Sequence, residues 1–177
     1  MSRFDAQTAR CEVFTFKEGL LSPVAHDLRL EVTRFTVDTD EAAGTVEATF
    51  DARSLRVACA IVGGHDAPAT LSTSDRRSIE ERIVDDVLVV KRYPEIRFRS
   101  RSATRDGDGW RVEGTLALHG HERPVSVRAR RDGGKLVAEV ALQQPDFGIK
   151  PFSALLGTLR VRPEVKVRLT LPALAGA

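Results

Sequence analysis

The chain has 177 residues, 42% hydrophobic and 29% charged, values that argue against wholesale disorder and fit one domain, 1–177, with a sizeable core. Its 27 basic and 25 acidic residues leave a formal net charge of +2, which gives no electrostatic case for nucleic acid. A pI near 8.7 is compatible with weak contact to an anionic membrane surface.

Taken in order, Arg10–Lys17 alternates as a strand, and the connection after it carries the apolar Leu20 and Leu21. Leu28, Leu30 and Val32 share one parity while Phe35 and Val37 take the other, so a β-bulge is expected near Thr33–Arg34. Val46, Ala48 and Phe50 form the next strand, and Leu55, Val57, Cys59 and Ile61 the one after. Cys11 and Cys59 sit inside strand runs with no metal-binding spacing and are expected as buried free thiols. Gly63–Ser72 is polar and reads as a loop. Beyond it Ile79, Ile83 and Val87 recur at helical spacing, predicting an amphipathic helix over about 74–89 with Thr73 or Ser74 as N-cap. Pro94 is expected to stop it.

Ile96, Phe98 and Ser100 resume the alternation. Gly109–Arg131 is the clearest pattern, two alternating runs joined by His119-Gly120-His121-Glu122, and it predicts a hairpin. Leu136–Leu142 and Val165–Leu171 supply further strands, separated by the apolar-rich connection Gln144–Gly157. The expected architecture is all-β with one amphipathic helix: about eight antiparallel strands curled into a closed or nearly closed barrel. Such a barrel has room for packed side chains or for one small ligand.

Three stretches resemble the YceI-like family: KRYPEIRFRS, the hairpin GTLALHGHERPV and PDFGI, with PEVKVRLTL as a closing strand. In the hairpin Gly114, Leu116, His119, Gly120, Arg123, Pro124 and Val125 occupy the matching positions. The resemblance spans roughly Ala48 to Leu171. It implies a lipocalin-like barrel with a helix near one opening, often dimeric, whose apolar cavity holds a polyisoprenoid lipid and which has no assigned catalysis. The residues after Met1 do not read as an export signal, so none is expected, and SPVAHDLRLEV matches the family's opening strand only loosely. The expected location is therefore cytoplasmic. No run reaches the roughly 18 apolar residues of a membrane span.

The expected function is non-catalytic binding of a polyisoprenoid or isoprenoid-quinone-like lipid, with no metal and no cofactor beyond that ligand. Phe35, Phe50, Phe98, Leu116 and Leu118 are the candidate interior contacts, although the same residues could simply fill a solid core. Phe147, Phe152, Leu155 and Leu156 could rim a mouth or plug one end. Two alternatives stand beside this reading. His26, Asp27, His119 and His121 could assemble a metal site for hydrolysis or isomerisation, although a third ligand would have to come to the histidine pair. A filled barrel could also act as a scaffold through a homodimer surface. No G-x-S-x-G or phosphate-cradling loop occurs. The outward arginines, Arg97, Arg99, Arg101, Arg111, Arg128, Arg130 and Arg168, together with Lys166, read as a solvated strand face.

Overall fold

The computed structural model describes residues 1–19, 25–157 and 159–172. Its strands are β1 (Ser2–Asp5), β2 (Arg10–Lys17), β3 (Asp27–Val32), β4 (Phe35–Asp40), β5 (Thr45–Asp51), β6 (Leu55–Val62) and β7 (His65–Ala67). The helix α1 (Thr73–Arg82) continues as a π-helical turn, Ile83–Val87. There follow β8 (Glu95–Asp106), β9 (Gly109–Leu118), β10 (His121–Asp132), β11 (Lys135–Gln143), the short β12 (Ser153–Ala154) and β13 (Leu159–Pro172). Twelve strands follow one another in one antiparallel path, β1-β4-β5-β8-β9-β10-β11-β13-β2-β3-β6-β7, and β12 pairs with β13. The expected class holds, but the expected count of eight does not. The excess comes from short strands with weak patterns and from one long run that is broken in two.

That break is at Thr33–Arg34, where the sequence predicts a bulge. The structure has a corner there instead. Val32 pairs with Leu55 and Phe35 with Phe50, so two residues on one strand face four on the other, Asp51–Ser54. Ser54, 1% exposed, supplies the missing partners. Its carbonyl accepts Thr33 N–H at 3.1 Å, its Oγ accepts Arg34 N–H at 3.0 Å, and Arg34 O accepts Asp51 N–H at 3.0 Å. Beyond the corner the pairing changes hands: β3 lies beside β2, while β5 lies beside β8. The ribbon thereby turns one flank of the sheet toward the other, and the sheet curls; among the described residues the end strands of the path, β1 and β7, do not pair, so the expected closed barrel is a curled half-barrel. The irregularities of bulge type lie elsewhere, between Arg29 and Leu30, Ser100 and Ser102, and Val161 and Val165.

The hairpin of β9 and β10 forms as expected, with a tighter turn: only His119 (φ 52°) and Gly120 (φ 73°) lie between Leu118 and His121. Two successive positive φ values match the right-handed twist of the strands they join. The helix also forms, but its N-cap is Ser72, one residue before the expected cap. Ser72 Oγ accepts Asp75 N–H at 3.1 Å while Asp75 accepts Ser72 N–H at 2.9 Å, a reciprocal capping box. Glu80 binds the helix to the sheet by accepting Val57 N–H at 2.8 Å. Helical geometry stops before Pro94 acts, because Val89 turns left-handed at φ 48°.

Both cysteines are free and buried, as expected. Burial, followed by the neighbouring Glu12 charge, pushes the Cys11 thiol up to about 12. On the outer face Arg29 bonds Glu31 at 2.8 Å, Asp66 at 2.9 Å and the buried Glu12 at 3.3 Å. Arg29 also holds the Asp66 carboxyl below the usual carboxylate range. The outward arginines are largely paired, Arg99 with Glu47 at 3.0 Å and Arg168 with Glu139 at 2.8 Å, as a solvated face would be.

Two stability measurements check this packing. A Cβ on Gly114 would lie 2.5 Å from Phe98 Cζ and 2.6 Å from Arg99 O. Gly114→Ala is therefore expected to cost about 1–3 kcal/mol in urea unfolding. An unchanged midpoint would contradict the close approach. Arg29→Met strands Glu12 without its partner and is expected to cost about 2–4 kcal/mol. Adding Glu12→Gln should restore a large part of that loss, and the absence of any recovery would contradict the pairing.

Candidate functional site

The inward face is almost wholly apolar and mostly aliphatic, and most of its side chains are short. Val13 from β2, Val112 from β9, Val125 and Val127 from β10, Val140 from β11 and Val167 from β13 all point to the same space. Side chains of that length cannot meet across a curled sheet, and a cavity of about 300 Å³ remains between them. Ten of the buried apolar residues gather in two clusters. One gathers Phe4, Cys11, Phe35, Val37, Ala48 and Leu171. The other gathers Leu116, Leu142, Phe147 and Ile149. Phe98 and Val167 pack against both, which places them between the two. Val13, Val140 and Val167 face inward yet are only half-buried, because they border empty space.

Among the described residues the cavity wall includes Thr15, Thr39, Asp51 and Gln144 as polar side chains, and no lysine, arginine or histidine. Asp51 is already engaged, paired with Arg34 at 2.8 Å and capping Arg53 N–H at 2.8 Å. Ile83, Val87 and Leu88, from the π-helical turn and the residue after it, complete the wall on the helix side.

Of the interior candidates, Phe50, Phe98, Leu116 and Leu118 line the cavity. Phe35 does not. It is buried behind Phe50, ring centroids 5.8 Å apart, in the cluster that Phe4 of β1 joins. It instead borders a shallow hollow open to solvent beside the β1–β2 turn. The loop candidates divide. Phe147 is 2% exposed and closes one end of the cavity. Phe152 is half-buried outside the lining, with the Arg82 guanidinium 5.7 Å from its ring centre. Leu156 is fully exposed, away from the lining. The Leu155 side chain and both Leu20 and Leu21 lie outside the described residues.

The histidines hold the closed end together. His119 Nδ1–H donates to Phe147 O at 3.2 Å, and His121 Nδ1–H donates to His119 O at 2.9 Å. Tyr93 packs 4.5 Å from the His119 ring. Gly148 is left-handed at φ 65°, and a Cβ there would stand 2.6 Å from His121 Cε1, so only glycine admits this contact. The hairpin turn and the Asp146–Ile149 segment are thus one packed unit around Phe147. Asp27 is occupied elsewhere, its Oδ1 accepting Lys17 N–H at 2.7 Å. Among the described residues no three His, Cys, Asp or Glu side chains come close enough to hold a metal ion, so the four proposed ligands do not assemble.

Sequence reading missed Gln144, which it treated as part of a connection, and Val87 and Leu88 as cavity wall. The helical stripe contained a signal for the latter pair. Nothing local marks Gln144, because its place depends on how the 3₁₀ turn Gln144–Phe147 folds back over the strand ends.

Solved structures share this arrangement. BcnA of Burkholderia cenocepacia superposes with a TM-score of 0.67 at 17% identity, over 96% of this chain and 99% of that one. The YceI protein of Campylobacter jejuni gives 0.60 at 14% identity, over 89% and 90%. A polyisoprenoid-binding domain from Saccharophagus degradans, implicated in plant cell wall breakdown, gives 0.56 at 13% identity, over 94% of each. At these identities the likeness concerns the fold. No curated protein sequence matches the chain. The YceI-like domain model, however, matches residues 4–173, which takes in the curled sheet from Phe4 of β1 to the end of β13. The chain belongs to the YceI-like family.

Proposed function

We propose that this chain binds a long hydrophobic lipid, a polyisoprenoid or an isoprenoid-quinone-like molecule, inside the curled sheet and performs no chemistry on it. The observation that carries this reading is the hollow of about 300 Å³ walled almost entirely by apolar side chains, most of them aliphatic. That volume is at the lower end of typical ligand sites, roughly 300–1,000 Å³, so part of a long chain is enclosed. Each CH₂ taken from water contributes about 0.8 kcal/mol, hence about 4 kcal/mol per five-carbon unit. A few buried units offset the entropic cost of association, roughly 4–15 kcal/mol. Nothing more than hydrocarbon contact is required for useful affinity. The family match and the polyisoprenoid-binding domain among the similar folds point the same way.

The metal-assisted alternative loses its basis because its ligands do not meet, and the filled-barrel scaffold loses its basis because the middle is hollow. No described helix is long and apolar enough to cross a membrane.

Organic extraction of the purified protein followed by mass spectrometry is expected to release an isoprenoid at up to one molecule per chain. Val167→Trp, which sets an indole in the middle of the cavity, should lower lipid content at least tenfold while leaving the melting temperature unchanged or higher, since it fills space. A variant that keeps its lipid, or a wild type that neither carries nor takes up an isoprenoid, would overturn the reading.

A further inference from the structure

We propose that the tip of the β12–β13 hairpin docks on the surface of an anionic phospholipid bilayer, Leu156 entering the headgroup layer while Lys150, Arg160 and Arg162 meet its charge. This surface is separate from the cavity lining, and the inference goes beyond the lipid-binding reading. Three large apolar side chains stand exposed among the described residues, Met1, Val62 and Leu156, and Leu156 is the most exposed of them. Ala154 pairs with Leu159, and Leu156 lies in the tip between them. Leu156 and Gly157 are both left-handed, at φ 55° and 87°. For leucine that conformation is uncommon and unfavourable. Here it gains no packing in return, since the side chain is left wholly in water.

The cations come from the same segment. Between Gly148 and Pro163 the sequence holds Lys150, Arg160 and Arg162 and no acidic residue. All three are exposed, and among the described residues none of them forms an ion pair. The strand arginines Arg97, Arg99, Arg111, Arg130 and Arg168 differ, each being matched to a carboxylate. Backbone pairing sets the cations beside the tip. Val161 N–H donates to Phe152 O at 3.0 Å, and the Arg160 guanidinium lies so near Gly157 that a Cβ there would stand 3.0 Å from its Nη2. Arg162 Nε donates to Lys17 O at 3.1 Å, and Arg162 O accepts Gln144 Nε2–H at 3.0 Å. Glu18 is a neighbouring acid, its N–H donating to Arg160 O at 2.9 Å, but among the described residues its carboxylate pairs with none of the three cations.

The chemistry of the tip selects the partner. One fully exposed leucine offers a folded protein far less than the roughly 1,000 Å² of a specific interface. Between Ala154 and Leu159 there is no aromatic side chain on which the bases of a single-stranded nucleic acid could stack. A bilayer surface needs neither. An aliphatic side chain is stabilised on leaving water, and each basic side chain near anionic headgroups strengthens binding about fivefold. The tip also continues the segment of Phe147 and Ile149, which border the cavity, so docking here turns that end of the hollow toward the membrane.

The test uses the purified full chain and sedimentation with vesicles of phosphatidylcholine, alone or with about one-third phosphatidylglycerol, all free of isoprenoid. The wild type is expected to bind the anionic vesicles at least about fivefold tighter than the neutral ones, and to let go as salt is raised. Leu156→Asp should weaken binding to the anionic vesicles about tenfold, and Lys150→Gln combined with Arg160→Gln about fivefold or more. Val62→Asp, at the exposed apolar residue of β6, should leave binding unchanged. No wild-type binding, equal binding to both vesicle types, undiminished binding in Leu156→Asp, or a loss in Val62→Asp as large as in Leu156→Asp would each overturn the inference. The wild-type comparison stands even if a variant folds poorly. Because the vesicles hold no isoprenoid, failure here leaves the cavity reading standing, and an empty cavity leaves this one standing.

Discussion

The hydrogen bonds around Ser54 set the shape of this protein. A flat antiparallel sheet of this width would leave its apolar face to water. Here the β3–β4 and β5–β6 ribbon breaks at Thr33–Arg34 opposite Asp51–Ser54, and a single serine takes over for the interrupted ladder. Ser54 Oγ also donates to Asp51 O at 2.8 Å, so the corner leaves few backbone groups without partners. With the corner in place, Leu30 and Val32 before it and Val37 after it line one interior despite their opposite parity. The curl, and so the enclosed space, follows from that corner.

The hollow follows from residue size as much as from topology. The middle inward positions of β10, β11 and β13 hold Val125, Val127, Ala138, Val140, Val165 and Val167, all short, while the leucines of β11 and β13, Leu136, Leu142, Leu169 and Leu171, stand nearer the strand ends. Phe4 and Phe35 pack in one cluster and Phe147 in the other, and of the lining phenylalanines Phe98 touches both. Packing at the ends supplies rigidity while the middle is left open, an arrangement a solid core would reverse. The few polar liners are tied into the protein's own hydrogen bonds: Asp51 is engaged with Arg34, and Gln144 Nε2 donates to Arg162 O.

Much of this was legible because period-two alternation sorts residues onto faces without knowledge of neighbours. Alternation alone puts Phe50, Phe98, Leu116 and Leu118 on the inward face, where they border the cavity. The same logic falls short for Phe35, whose parity is right but which packs behind Phe50 in a cluster with Phe4 of β1, a four-residue strand with too little pattern to be seen. The phase slip at Thr33–Arg34 was visible, but parity alone cannot separate a bulge from a corner; the difference lies in Ser54, about twenty residues away. The apolar connection Gln144–Gly157 gave composition without direction, so Phe147, Phe152 and Leu156 looked alike although only the first closes the cavity. The histidines looked like ligands because sequence shows donors and not their bonds, here made to backbone carbonyls.

The most direct measurement is isotope-edited NMR of the methyl-labelled protein with an unlabelled polyprenol, reading which methyls lie against the chain. Intermolecular contacts are expected at Leu116, Val140 and Val167, the methyls that border the hollow. Contacts confined to exposed side chains such as Leu156 and Val62, with the interior methyls silent, would contradict the account.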